Sequence, residues 1–385
     1  MTTLLQFEPQ EWQRIGGLHT AEEITQQPRL WRTLAARLDA EQARIAGFLG
    51  NCLSDPGHRV LLTGAGSSAF IGEICADELN MAWPAQIRAV ATTSLLTHPE
   101  AYLDPQAPTL LVSFARSGNS PESLGAVELL RRMLPAPRFL NITCNADGEL
   151  ARQSGGRDDS LTVLMPEGSC DRSFAMTSSF SCMLLAALTI LSPGGAAGPA
   201  RIAQLAQLAD AALQDWAAPV AALAAQPDRR IVYLGSGPLE ALAKESALKV
   251  LELSGGQALA LANTALGFRH GPKSAVSRDT LVLVFFSNKP LAQRYEQDVL
   301  DELRRDQVAS RCVSIGPSAS GADLGAALPA AESALSDAWL SVLWLLAAQM
   351  FSLHKSAVLG LTPDNPFPDG IVNRVVQGVT IYDNH

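Results

Sequence analysis

The chain has 385 residues, of which 47% are hydrophobic and 17% are charged, and its formal net charge is −9. A chain of this length is expected to form two domains, and its apolar content is ample for buried cores and too high for a disordered protein. The acidic balance argues against non-specific binding to nucleic acid or to anionic membranes, although backbone N–H groups can still hold a small anion.

Cysteine usage and the terminal residues predict a cytoplasmic protein. No two of the six cysteines form a CxxC pair and several lie in apolar runs, so buried reduced thiols are expected rather than a metal site or a disulfide framework. The N-terminal residues do not resemble a signal peptide. The longest apolar run, 182–191, is far shorter than the roughly 20 residues of a membrane-spanning helix.

Apolar spacing predicts an N-terminal helical segment followed by a parallel sheet. Over residues 1–48, apolar residues after Pro28 recur at helical spacing. Short apolar runs then alternate with helical patterns, which is typical of a parallel sheet covered on both faces. These predicted strands are 59–64, 87–92, 109–114, 138–143 and 161–165.

The same pattern recurs later in the chain. Ile231 follows Val60 by 171 positions (231 − 60), and Thr280 follows Thr109 by 171 positions (280 − 109). A constant offset indicates an internal duplication. We therefore predict an α/β fold of two tandem doubly wound parallel sheets, with a first domain over 49–198 and a second domain, including a C-terminal tail, over 199–385. In such sheets ligands bind at the carboxyl ends of the strands.

The loop after the first predicted strand, GAGSSAFIGE, is a candidate anion site. Gly66 permits a tight turn, and Ser67 and Ser68 supply hydroxyls at a helix start. The G-x-G-x-x-A pattern also fits a dinucleotide fingerprint, but the next predicted strand lacks the acidic residue that would hold a ribose. An ordinary strand–helix turn is the other interpretation.

The loop after the third predicted strand, SFARSGNSPES, strengthens the anion interpretation. Ser120 is a predicted N-cap, and hydroxyls, N–H groups and the helix dipole together favour a phosphate. A capped helix with a solvent-facing arginine is the alternative. The candidate ligands are Arg116, Ser117, Asn119 and Ser120.

Two further loops bear on the number of phosphate sites. Thr177 and Ser178 precede an apolar helix and form a third candidate loop, although helix capping alone also explains them. In the second half, Pro238 and Leu239 stand where the first half has two serines, and the loop after the third strand has no S-G-x-S. One phosphate site per chain, in the first half, is therefore predicted.

The candidate catalytic residues lie in the second half. Glu245, Lys249 and Glu252 fall on one face of a predicted helix, KESALKVLELSGG, which also fits a surface stripe of ion pairs. The loop GFRHGPKS follows and contains His270, flanked by Arg269 and Lys273. A histidine can open a sugar ring near neutral pH by moving a proton.

Together these motifs resemble the sugar isomerase (SIS) domain family, whose two-domain form occurs in the isomerase half of glucosamine-6-phosphate synthase. The resemblance covers about residue 49 to the end of the chain. The segments GAGSSAFIGE, SGNSPES, FAMTSS, YLGSG, GFRHGPKS and NRVVQGV are similar to the branch of the family that deaminates galactosamine 6-phosphate.

The resemblance implies roles for several residues. Ser117 and Ser120, with the neighbouring backbone, would hold the phosphate. Glu252 would be the base that moves a proton between carbons 1 and 2, with Lys249 near the sugar, and His270 would assist ring opening from a neighbouring subunit. It further implies conversion of galactosamine 6-phosphate to tagatose 6-phosphate and ammonia, without a metal or redox cofactor, in a homodimer or larger homo-oligomer.

Two positions depart from the synthase pattern. Ala115 stands where the synthase has the first serine of its phosphate loop, and Gln377 where it has a catalytic lysine, so those two roles are not carried over. Three alternatives stay open on the same fold: deamination of glucosamine 6-phosphate, plain aldose–ketose isomerisation, and a sugar-phosphate sensor that binds without turnover.

Overall fold

The computed structural model describes residues 3–193, 195–328, 335–376 and 378–382. The strands are β1 (Arg59–Thr63), β2 (Gln86–Ala89), β3 (Thr109–Ala115), β4 (Arg138–Thr143), β5 (Ser160–Leu164), β6 (Arg230–Leu234), β7 (Leu259–Asn263), β8 (Thr280–Phe285), β9 (Arg311–Pro317) and β10 (Leu324–Ala326). The helices are α1 (Pro9–Ile15), α2 (Leu18–Thr25), α3 (Gln27–Leu49), α4 (Ser67–Ala82), α5 (Thr92–Thr97), α6 (Pro121–Met133), α7 (Glu149–Ser154), α8 (Ser178–Leu191), α9 (Gly198–Asp215), α10 (Ala217–Ala224), α11 (Pro238–Leu253), α12 (Ala265–Phe268), α13 (Pro290–Asp306) and α14 (Asp337–Val358).

The strands form two five-stranded parallel sheets. The first sheet has the order β2-β1-β3-β4-β5. The second sheet has the order β10-β9-β8-β6-β7, which is the same order read from the opposite edge. The direction in which successive strands are added to the sheet therefore reverses between β1 and β3 in one sheet and between β6 and β8 in the other. In doubly wound folds, ligands bind at this reversal point. The predicted α/β fold with two such sheets is confirmed.

The central strands are buried because their apolar runs are continuous. Every residue of β3 and of β8 is buried, as expected for strands covered by helices on both faces. One predicted boundary is wrong: the run 87–92 is a strand only as far as Ala89, and α5 begins at Thr92. The chain turns into a helix here because the N–H groups of Ser94 and Leu95 donate to the Ala91 carbonyl.

Two strands of the second sheet have weak sequence signals. β7 is an edge strand, and none of its five residues is buried. β10 has only three residues. Neither offers the continuous apolar run that identifies a buried parallel strand.

The turns after β1 and β6 have the same backbone conformation. Gly66 has φ 56° and ψ −131°, and Gly237, at the 171-residue offset, has φ 58° and ψ −129°. Residues with a Cβ avoid this region, so both turns require glycine. The shared strand order and the matching turns support the predicted duplication.

The residues group into two compact units. One contains the first sheet and comprises Arg29–Asp171, Ser178–Ile202 and Gly370–His385. The other contains the second sheet and comprises Met1–Pro28, Arg172–Thr177 and Ala203–Asp369. The domain division at residues 48 and 198 stays a prediction.

The cysteines are free thiols, as the sequence predicted. Cys52, Cys75 and Cys182 are buried, and the remaining three are half-buried. Burial raises the pKa of the Cys75 and Cys182 thiols well above the ordinary value, so both are protonated and unreactive at neutral pH. Among the described helices, none combines the length and the apolar character that crossing a membrane requires.

Candidate active site

The turn after β1 brings the start of α4 to the carboxyl edge of the first sheet. Ser67 and Ser68 are the first two residues of α4 and are buried. A Cβ on Gly64 would lie 2.6 Å from the carbonyl carbon of Ser68, so only glycine allows the strand and the helix to approach this closely. β1 and β3 are parallel neighbours, so the loop after β3 begins at the same carboxyl edge of the sheet as the loop after β1.

The loop after β3 presents open backbone donors. Among the described residues, the N–H groups of Ser117, Gly118 and Ser120 have no hydrogen-bond partner. Gly118 has φ 67°, and Asn119 is held in place because its side-chain carbonyl accepts the N–H of Glu149 at 2.9 Å. Successive N–H groups of this kind at a helix start form an anion-binding concavity.

Ser120 caps α6, as predicted. Its hydroxyl donates to the Ser123 hydroxyl at 2.7 Å and accepts the Ser123 N–H at 3.4 Å. Pro121 occupies the first helical position. The cap fixes the start of α6, so the positive end of the helix dipole lies beside the open N–H groups.

Arg116 does not face the solvent, so that alternative is wrong. Only 8% of Arg116 is exposed, and its guanidinium donates to the carbonyl of Arg374 at 2.7 Å. The Arg374 guanidinium in turn donates to the carbonyl of Asp171. The C-terminal tail is thus fastened to the loop after β3. No sequence pattern links two residues 258 positions apart, which is why this contact was missed.

The third candidate loop is capped by a carboxylate that the sequence reasoning missed. Asp171 is fully buried and accepts the backbone N–H groups of Ser178 at 2.9 Å and Ser179 at 3.0 Å. Thr177 and Ser178 are themselves buried. Helix capping by Asp171 accounts for much of this loop, and a contact of Thr177 or Ser178 with ligand stays a prediction.

Glu245, Lys249 and Glu252 lie together on α11. The Lys249 Nζ is 2.5 Å from Glu252 Oε2 and 3.4 Å from Glu245 Oε1. Lys249 and Glu245 are fully buried, so the surface-stripe interpretation is wrong, whereas the Glu252 side chain is 22% exposed. A buried ammonium therefore orients a carboxylate that a ligand can reach. Breaking such a pair would leave an uncompensated charge in the interior.

The cations of the GFRHGPKS loop are paired with α13. Arg269 Nη2 lies 2.6 Å from Glu302 and 2.9 Å from Asp298, and Lys273 Nζ lies 2.6 Å from Asp306 and also contacts Glu302. Hydrogen bonds to these carboxylates raise the pKa of Lys273.

His270, which follows α12, is exposed. Of the three basic side chains in the GFRHGPKS loop, His270 is therefore the exposed one, whereas Arg269 and Lys273 are half-buried and paired with α13.

The remaining predicted positions divide as follows. Ala115 ends β3, is buried and has no hydroxyl to offer. Gln377 lies outside the described residues. An apolar cavity of about 290 Å³ lies beside α3 and includes none of the predicted site residues, so it is not the candidate site.

The comparisons with known proteins agree with these features. The SIS domain family model matches residues 53–192. The D-galactosamine-6-phosphate deaminase AgaS of Shewanella sp. (strain ANA-3) is 40% identical, over 95% of this chain and 92% of that protein. A crystal structure from Clostridium novyi NT is 39% identical with a TM-score of 0.94 over all of both chains. The tagatose-6-phosphate ketose/aldose isomerase of Escherichia coli is 40% identical with a TM-score of 0.86, over 95% of this chain and 97% of that one. The chain therefore belongs to the SIS domain family, among the relatives named AgaS.

Proposed function

We propose that this chain is an amino-sugar-phosphate deaminase and isomerase that converts galactosamine 6-phosphate and water to tagatose 6-phosphate and ammonia. The relatives named AgaS support the choice of substrate and product class. The open N–H groups after β3 support a phosphate ligand, and the half-buried Glu252 carboxylate on α11 supports proton transfer.

The reaction needs a base that can both remove and return one proton. The loops at 64–68 and 115–120 bind the phosphate, and His270 moves the proton that opens the sugar ring. Glu252 removes the proton from carbon 2 and delivers it to carbon 1, and a second proton passes from the amino nitrogen to the carbon 1 oxygen. The C–N bond thereby becomes the C=N bond of a ketimine and the aldehyde becomes an alcohol. Water then hydrolyses the ketimine to the ketose phosphate and ammonia. General acid–base catalysis by such groups contributes about 10²–10⁴-fold to the rate.

The observation that carries the proposal is the contact between Lys249 and Glu252. The Glu252 carboxylate lies 2.5 Å from the fully buried Lys249 ammonium, yet 22% of its side chain is exposed, so a ligand can reach it. A carboxylate needed only for stability would be buried with its partner, as Glu245 is. The Lys249 ammonium also places a positive charge next to the developing negative charge of the sugar.

An ammonia-release assay tests the proposal directly. Galactosamine 6-phosphate, glucosamine 6-phosphate and galactose 6-phosphate are compared under the same conditions. We expect ammonia and a ketose phosphate from galactosamine 6-phosphate at the highest rate. Faster turnover of glucosamine 6-phosphate would reassign the substrate, and tight binding of all three without product would make the chain a sensor.

We also propose a cytoplasmic homodimer or larger homo-oligomer. Leu259 and Leu261 on the edge strand β7, and Leu266 just after it, are 44–62% exposed and form an apolar surface close in sequence to His270. A second copy covering this surface would remove it from water. Light scattering on the purified chain tests the assembly, and a monomer at micromolar concentration would contradict it.

A further inference from the structure

The second sheet holds a carboxylate at its own counterpart of the phosphate loops. Glu296 on α13 is fully buried and accepts the backbone N–H of Ser287, in the loop after β8, at 2.7 Å. The other carboxylate oxygen of Glu296, Oε1, is buried and has no hydrogen-bond partner among the described residues. The Glu296 carboxylate therefore pairs with the loop after β8, which corresponds to the proposed phosphate loop after β3 in the first sheet.

The corresponding position in the first sheet is apolar. α6 begins at Pro121 and α13 begins at Pro290. Val127 and Glu296 each lie six residues further along (127 − 121 and 296 − 290). Val127 packs in the apolar cluster of the first sheet. Glu296 lies one helical turn before Val299, which packs in the apolar cluster of the second sheet. The same side of the helix therefore carries valine in the first half and an acid in the second. The two halves thus differ in charge at one core-facing position.

A second carboxylate completes the contrast. Asp337 accepts the backbone N–H of Asn288 at 2.7 Å and the hydroxyl of Ser287 at 2.5 Å. Two successive N–H groups after β8 are therefore paired with the chain's own carboxylates. In the described part of the first sheet, the N–H groups of Ser117 and Gly118 have no such partner.

Packing does not account for an acid at this position. Burial raises the pKa of Glu296 to about 7, and the nearby charge of Asp337 adds to the rise, while the hydrogen bond from the Ser287 N–H opposes it. The charge is therefore held at a cost to stability. Val127 shows that an apolar side chain fits the equivalent place in the other half, so a different reason for the acid is needed.

We propose that Glu296 is a built-in anion that closes the second sheet's counterpart of the phosphate loop, so that one chain takes up one phosphorylated ligand rather than two. The excluded ligand is a phosphate monoester, because hydroxyls and N–H groups at a helix start are the groups that bind one. The inference rests on the proposed function for the identity of the ligand in the first sheet.

Removing the carboxylate tests the closure in the second sheet. Formate is the probe, since it replaces the deleted carboxylate. At about pH 8, where the Glu296 carboxylate is ionised, roughly 50–100 mM formate is expected to raise the Tm of Glu296→Ala by about 2 °C or more beyond its effect on the wild type. Glu296→Gln keeps an oxygen in place and is the matched control, with no extra response. An alanine variant that responds no more than the wild type overturns the proposal.

The reciprocal substitution tests the same idea in the first sheet and does not depend on the stability of the alanine variant. Val127→Glu places a carboxylate beside the open loop, and titration with inorganic phosphate is expected to show an affinity at least about 10-fold below that of Val127→Gln. Val127→Gln has nearly the same size and polarity without the charge. Equal phosphate affinities for the two variants overturn the proposal.

The two experiments separate this inference from the proposed function. A wild-type chain that binds no inorganic phosphate and no sugar phosphate contradicts the proposed function. The formate response of Glu296→Ala still decides the closure in that case, because it concerns only the second sheet.

Discussion

The two sheets share a strand order and a glycine turn, but their carboxyl edges differ. In the first sheet, N–H groups of Ser117 and Gly118 are open in the described structure. In the second, N–H groups of Ser287 and Asn288 are bonded to buried carboxylates. The second half instead carries the Lys249–Glu252 pair on the helix that follows its first strand. Under the proposed function, one scaffold serves anion binding in one half and proton transfer in the other, and a few side chains make the difference.

The largest expected effect concerns the proton-transfer half. Glu252→Gln removes the base but keeps the size of the side chain, so we expect kcat for ammonia release to fall by about 10²–10⁴-fold. Binding of a non-reactive hexitol 6-phosphate should change little, because the proposed phosphate site lies in the other half. Steady-state kinetics and calorimetric titration check the two quantities.

A matched control lies on the same helix. Glu240, in the first turn of α11, is 39% exposed and forms an ion pair with Lys244 at 3.5 Å. Glu240→Gln should therefore leave kcat near the wild-type value. If Glu252→Gln retained full turnover, Glu252 would not be the base, and the assignment of proton transfer to the second half would be wrong.

The next effect concerns Glu296, whose carboxylate accepts the N–H of Ser287 in the loop after β8. The pKa of Glu296 is raised from 4.5 to about 7, so between these values the folded chain keeps a proton that the unfolded chain has lost. Stability should therefore fall as pH rises from 4.5 to about 7, by ~3 kcal/mol in all. Glu296→Gln cannot ionise and should gain stability relative to the wild type over this range. Urea unfolding at about pH 5 and about pH 8 measures the change, and a constant difference between the two proteins would contradict it.

A smaller effect compares the two glycine turns directly. An added Cβ at Gly66 or at Gly237 meets nothing within 4 Å, so each alanine substitution acts only through the strained backbone. Both Gly66→Ala and Gly237→Ala should cost about 1–3 kcal/mol of unfolding free energy. Only Gly66→Ala should also raise KM, by roughly 10-fold, because only its turn contributes to the phosphate site. An equal rise in KM for Gly237→Ala would show that both turns bind ligand.

The sequence was sufficient for features that depend on local pattern. Continuous apolar runs identified the central strands, and the 171-residue offset led to two sheets of one topology. The N-cap at Ser120 followed from a serine before a proline. The spacing of Glu245, Lys249 and Glu252 placed them on one helical face, but spacing cannot say which face is buried, and two of the three are fully buried.

Contacts between distant residues were beyond sequence reasoning. Arg116 meets Arg374 through a tail without regular secondary structure, so no periodicity signals the pair. Glu296 occupies an apolar stripe of α13, and only the structure shows that it reaches the N–H of Ser287. The edge strand β7 escaped detection because half-buried and exposed positions lack the apolar run of a central strand. In each case the missing information is tertiary.

The smallest effect concerns the basic loop after β7. Lys273 flanks His270 in this loop, and its ammonium contacts Asp306 and Glu302 on α13, with 28% of its side chain exposed. A partly exposed pair of this kind contributes little, so Lys273→Gln should cost up to about 1 kcal/mol and lower catalytic efficiency by less than about 3-fold. Urea unfolding and the ammonia assay check both values. If the substitution instead lowered catalytic efficiency by about 10-fold or more, this cation would have to leave α13 to meet the substrate. Phosphate recognition would then no longer belong to the first half alone.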